Sequence, residues 1–145
     1  MIIKLAKNAG FCFGVDQAVK TAYSVLSKTQ PDTKVYMFGE ITHNDFVVNE
    51  LLESGMYLAN SVDEIESGSV VIIRAHGVTP QVKQGLEAIN CKIIDCTCPF
   101  VKKIHKIVKD ESQKGRKIII AGKKGHPEVE GIRGEASDHV TVVGN

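Results

Sequence analysis

Short runs of β-branched and apolar residues alternate along the chain with stretches whose apolar positions recur every three to four residues. The runs at 2–6, 34–38, 56–59, 69–73, 91–94, 117–121 and 140–143 predict strands. Helical spacing lies between them at 15–28 (Ala18, Val19, Ala22, Val25, Leu26), 45–54, 61–66, 80–89 and 99–114 (Val101, Ile104, Val108). Turn residues mark the breaks: Gln30-Pro31-Asp32, Ser54-Gly55, Ser67-Gly68 and Lys114-Gly115. The strand runs do not alternate cleanly between apolar and polar, which is what a parallel sheet covered on both faces requires. The pattern therefore predicts an α/β fold, a mostly parallel sheet flanked by helices.

Composition narrows the class. Val and Ile together number 32 against 6 Leu in 145 residues, and 43% apolar with 24% charged residues is the balance of a soluble globular protein. No apolar run approaches the roughly 20 residues of a membrane span, and the first residues lack a secretory core. A cytoplasmic protein is expected. Eighteen basic and 17 acidic side chains leave a net charge of +1, so no bulk field draws the chain to nucleic acid or to a membrane. An anionic ligand must be held by a local site. The chain stops at Gly144-Asn145, just after a strand, where the alternation would place another helix, so it is expected to be cut rather than ended.

Ligands of open parallel sheets bind outside the carboxyl ends of the strands. Counting the run at 2–6 as the first strand, those ends carry Gly10-Phe11-Cys12-Phe13-Gly14, Gly39-Glu40-Ile41-Thr42-His43-Asn44, Arg74-Ala75-His76-Gly77, Asp95-Cys96-Thr97-Cys98-Pro99 and the segment from Gly122 to Gly131. Three of the four cysteines and three of the five histidines share this edge. Cys12 and Cys98 each precede a helix start, where the dipole favours the metal-ligating thiolate. Cys91 opens a strand and reads as packing; Cys96 is either a spare ligand or a buried neighbour of Cys98. His43, His76 and His126 can ligate metal or bind phosphate. If they bind a phosphate group as imidazolium, its affinity falls as pH rises. Glu128 is a candidate proton donor or a carboxylate stabilised at a helix start. His105, among Lys102, Lys103 and Lys106, reads as structural, and His139 as part of a surface turn. Neither a dinucleotide fingerprint nor a Walker loop is present.

The segments GFCFGVDQAV at Gly10, THN at Thr42, AHGV at Ala75, DCTCPFVKK at Asp95 and GHPEVEG at Gly125 resemble, in this order, the (E)-4-hydroxy-3-methylbut-2-enyl diphosphate reductase family, also called IspH or LytB. The resemblance implies an iron–sulfur oxidoreductase of the non-mevalonate isoprenoid pathway. Such an enzyme removes an allylic hydroxyl with two electrons and two protons, giving isopentenyl and dimethylallyl diphosphates. It implies the first lobe and part of the second lobe of a three-lobed fold, with 1–98 the first α/β lobe and 99–145 an incomplete second one. It implies Cys12 and Cys98 as ligands of a 4Fe-4S cluster, His43, His76 and His126 as substrate-binding residues and Glu128 as the proton donor. The implied partners are the diphosphate substrate and an electron donor such as ferredoxin or flavodoxin. The family's third cysteine ligand and further diphosphate contacts lie in a C-terminal half beyond Asn145, so this chain alone is expected to be inactive. Cys96 stands where the family carries a small non-ligating residue. The alternatives are a Cys/His zinc site, for instance Cys12, Cys98 and two histidines, or a phosphate-binding α/β module without redox role.

Overall fold

The structure is a computed structural model that describes residues 2–7, 9–136 and 140–144. Among the described residues eleven regular helices and strands follow one another: α1 (Phe13–Lys28), β1 (Val35–Phe38), α2 (Asp45–Glu53), β2 (Tyr57–Ala59), β3 (Val70–Ile73), α3 (Pro80–Ala88), β4 (Lys92–Asp95), α4 (Pro99–Gln113), β5 (Ile118–Ala121), α5 (Pro127–Gly134) and β6 (Val140–Val143). Strands β2-β1-β3-β4 form one sheet and β5-β6 a second, and every pair within them is parallel. The α/β class read from the hydrophobic pattern is what the chain adopts.

The central strands explain why that pattern lacked alternation. Val35, Met37, Val70 and Ile72 face a core completed by Ala18, Val19 and Ala22 of α1 and by Val48 and Leu51 of α2. Their neighbours Tyr36, Phe38, Val71 and Ile73 face the opposite side with Ile65 and Leu86 of α3. Both faces are dry, so all four residues of β1 and of β3 are buried. In β5 and β6 half-buried residues alternate with exposed ones, and that smaller sheet has one open face. No described helix is long and apolar enough to cross a membrane.

Three expectations change. Residues 2–6 form no strand, and Ile2, Ile3 and Leu5 are exposed. A β-branched run becomes a strand only where a neighbour takes its backbone N–H and C=O groups, and among the described residues none does. The helix expected at 61–66 is a single 3-10 turn, Val62–Glu64, held by Glu64, whose carboxylate accepts from the Asn60 N–H and the Ser61 hydroxyl. Six residues ending at Ser67-Gly68 cannot repay helix nucleation. The segment from Gly122 to Gly131, placed with the strand-end loops, is helical from Pro127, the helix start that Glu128 also allowed. Gly131 and Gly134 lower its intrinsic propensity, and packing of Val129 and Ile132 makes up the difference. His139 lies outside the described residues.

Candidate active site

Because β1, β3 and β4 run parallel, the turns at their carboxyl ends open on one edge of the sheet. The turn after β1 carries His43, the turn after β3 carries His76, and the turn after β5 brings His126 from the second sheet. Their rings converge, with centroids 4.8 Å apart for His43 and His76, 5.9 Å for His43 and His126 and 5.8 Å for His76 and His126. His43 is exposed while His76 and His126 are half-buried.

Electrostatics give the trio its preference. Burial pushes the His76 pKa down from 6.5 to about 4, and His43, Arg74 and His126 push it the same way. Its Nδ1 is buried and has no hydrogen-bond partner. His126 caps α5, and its Nδ1 accepts from the Glu128 backbone N–H at 3.3 Å. The neutral ring must then carry its proton on Nε2, which leaves a donor free for a ligand. Arg74 adds a charge that the sequence reading quoted without assigning it a role. Its Nε is buried without a partner, and burial lowers its pKa, with Glu40 opposing. The guanidinium packs on Gly39, whose φ is +67° and where a Cβ would overlap it. A cation directly after the wholly apolar Val70–Ile73 run was the available signal. Three imidazoles and a guanidinium, with Glu40 the carboxylate acting on Arg74, gather N–H donors of the kind that can hold an anion.

The two cysteines predicted as ligands stand at helix starts. Cys12 is the N-cap of α1 and exposed, and Cys98 is the N-cap of α4 and half-buried. A Cβ on Gly14 would lie 2.8 Å from the Cys98 sulfur, so this glycine admits the thiol against the first turn of α1. The Cys96-Thr97-Cys98 segment is fixed from both sides. The Thr97 N–H donates to Asp95 at 2.9 Å, Lys102 pairs with the same carboxylate at 2.9 Å, and the Cys98 N–H donates to the Ala75 carbonyl at 2.9 Å. Cys96 turns toward the core, where burial raises its pKa against an opposing hydrogen bond with Thr21. Cys91 packs against the other core and approaches the Glu66 carbonyl at 3.6 Å. Glu128 sits half-buried in the first turn of α5, two residues beyond His126. Among the described residues no three His, Cys, Asp or Glu side chains are grouped to hold a metal ion, so the tetrahedral zinc set of Cys12, Cys98 and two histidines is not assembled.

The sequence profile of the LytB protein family matches residues 3–145. The chain belongs to the LytB family. Two relatives named 4-hydroxy-3-methylbut-2-enyl diphosphate reductase, from Caldanaerobacter subterraneus subsp. tengcongensis and from Clostridioides difficile, are 43% and 41% identical to it, each over 99% of this chain and 50% of its own length. Among solved structures, the E-1-hydroxy-2-methyl-but-2-enyl-4-diphosphate reductase of Plasmodium falciparum superposes with a TM-score of 0.88 at 31% identity, covering 94% of this chain and 42% of that one. A structure described as (E)-4-hydroxy-3-methyl-but-2-enyl diphosphate reductase, the terminal enzyme of the non-mevalonate pathway, gives 0.81 at 39% identity over 97% and 50%. This LytB chain thus spans about half the length of the curated relatives it matches.

Proposed function

We propose that this chain is the substrate-gripping part of a 4-hydroxy-3-methylbut-2-enyl diphosphate reductase. The convergence of His43, His76 and His126 at one sheet edge carries the reading, because three imidazoles beside Arg74 suit a diphosphate. Residues 1–98 act as a first lobe supplying the cysteines, His43 and His76, and 99–145 open a second lobe supplying His126 and Glu128.

An iron–sulfur cluster fits the donor chemistry in part: Cys12 and Cys98 are thiols at helix N-termini, and Gly14 leaves room for the second sulfur. A 4Fe-4S cluster takes cysteine thiolates on at least three irons, so the chain holds two of the ligands and the remainder of a longer protein supplies the third. When bound, the cluster delivers two electrons, drawn from a donor such as ferredoxin or flavodoxin, and offers an iron as Lewis acid. The chain's own residues do the rest. The histidines fix the diphosphate by charge-assisted hydrogen bonds. Glu128, half-buried beside His126, holds the proton that leaves with the allylic hydroxyl as water; a second proton is taken up at carbon.

The test is anaerobic turnover of 4-hydroxy-3-methylbut-2-enyl diphosphate with a chemical reductant, by this chain and by the chain extended to the length of its relatives. Turnover by the extended chain alone, with iron lost in Cys12→Ser and Cys98→Ser but kept in Cys91→Ser, is expected. Repeated turnover by the short chain, or iron loss in the Cys91 variant, overturns the assignment.

A further inference from the structure

His105 is set among lysines in the sequence, yet it lies on the inward face of α4 with Val101 four residues before it and Val108 three after, both buried. Only 12% of its side chain is exposed. Its Nδ1 lies 3.1 Å from a Glu135 carboxylate oxygen at the end of α5, and its Nε2 is buried without a partner. The ring packs against two segments that each carry a candidate site residue. A Cβ on Gly77, next to His76, would lie 3.3 Å from the ring and 3.0 Å from Thr97, which stands next to Cys98. A Cβ on Gly131, within α5, would lie 3.2 Å from the ring and 3.6 Å from the His76 carbonyl oxygen. Two glycines therefore admit one imidazole between the His76 turn and the helix whose first residues are capped by His126 and include Glu128.

Beyond the ring lies a cavity of about 460 Å³, lined in part by Asp95, Lys102, Lys106 and Glu135. The hydrogen bond to Glu135 orients the imidazole beside that space, and it reaches from the far end of the helix that the ring supports.

We infer that His105 is a positioning residue, a spacer oriented by Glu135 that sets the separation between the His76 turn and α5 and so fixes His126 and Glu128 against His43 and His76. The geometry stands by itself; its consequence for diphosphate rests on the function proposed above. If the spacer shifts, α5 moves, His126 draws away from His43 and His76, and His76 loses the burial and the neighbouring His126 charge that help depress its titration, while His43 and Arg74 on the four-stranded sheet stay.

The experiment uses this chain with Glu135→Ala, which removes the acceptor, Glu135→Gln, which keeps one, and His105→Phe, which keeps bulk without the bond. Histidine ring signals are followed by NMR against pH, inorganic diphosphate affinity is measured by calorimetry, and thermal melting checks folding. Expected are an upward shift of the His76 titration and a loss of about tenfold in diphosphate affinity for Glu135→Ala and His105→Phe, the scale set by misplacing an orienting contact, with rescue to near the parent in Glu135→Gln. A merely structural role lowers melting in all three without a His76 shift or a rescue. An unshifted His76 in the folded Glu135→Ala and His105→Phe chains overturns the inference. A shifted His76 in a protein whose unmodified form binds no diphosphate upholds the spacer and sinks the diphosphate reading.

Discussion

His76 concentrates the chemistry of the site in one ring. Its pKa near 4 means that folding strips a proton the unfolded chain would hold below about 6.5. The unfolded state therefore binds more protons between these values, and stability falls as pH drops from about 6.5 toward 4, being fully present above that window. A diphosphate reverses the preference, because it favours the imidazolium form and raises the pKa. Binding should take up protons, and affinity should rise as pH is lowered below the bound-state pKa, by at most about tenfold per pH unit for each proton. The direction matches that anticipated from the sequence, but the starting point is a depressed histidine rather than one near its reference value. Calorimetry of inorganic diphosphate in two buffers of different ionisation enthalpy checks this. Absence of proton uptake, or uptake that persists unchanged in His76→Asn, would count against it.

Helix starts are the elements that carry most of the candidate site residues. Cys12, Cys98 and His126 are the N-caps of α1, α4 and α5, and Pro99 and Pro127 begin two of those helices where a missing N–H costs nothing. Gly14 joins two of these starts, since it is the absent side chain against which the Cys98 sulfur rests. Alanine there is an ordinary helix residue, better than glycine by about 1 kcal/mol in a helix interior. Its methyl, 2.8 Å from that sulfur, would force the thiol to move. Gly14→Ala should therefore leave melting within a few degrees while lowering iron retention in the full-length context by roughly tenfold, the scale for disturbing a ligand's support. Iron analysis after anaerobic reconstitution, beside a melting curve, measures both. Full iron retention in Gly14→Ala would show that the contact does not matter for the metal.

Across the whole molecule the two sheets differ in depth. The four-stranded sheet carries cores on both faces, whereas β5 and β6 form a two-stranded sheet with alternate residues exposed. Pairs of strands are marginal unless packing supports them, and here α4 packs on β5. Amide exchange should be slowest in β1 and β3 and roughly tenfold or more faster in β5 and β6, because the smaller sheet can open without breaching the main core. Hydrogen–deuterium exchange with mass spectrometry resolves the peptides. Equal protection in the two sheets would show that they open as one unit.

The sequence by itself determined the α/β class, most element positions and the placing of His43, His76, Cys96 and Cys98 after strands of the main sheet. Each is local, being fixed by the period of apolar residues or by the turn that follows a strand. It could not decide residues 2–6, whose β-branched run lacks a partner, nor the start of α5, where packing outweighs two glycines. It read His105 from its lysine neighbours, although Val101 and Val108 mark the same helix face as buried. Only the tertiary structure decided which loops meet. The 4.8 Å approach of His43 to His76, the guanidinium of Arg74 on Gly39, and Cys98 lying against Gly14 each join residues far apart in the chain. Their juxtaposition comes from parallel strand pairing and from the space that missing side chains leave, which no local pattern encodes.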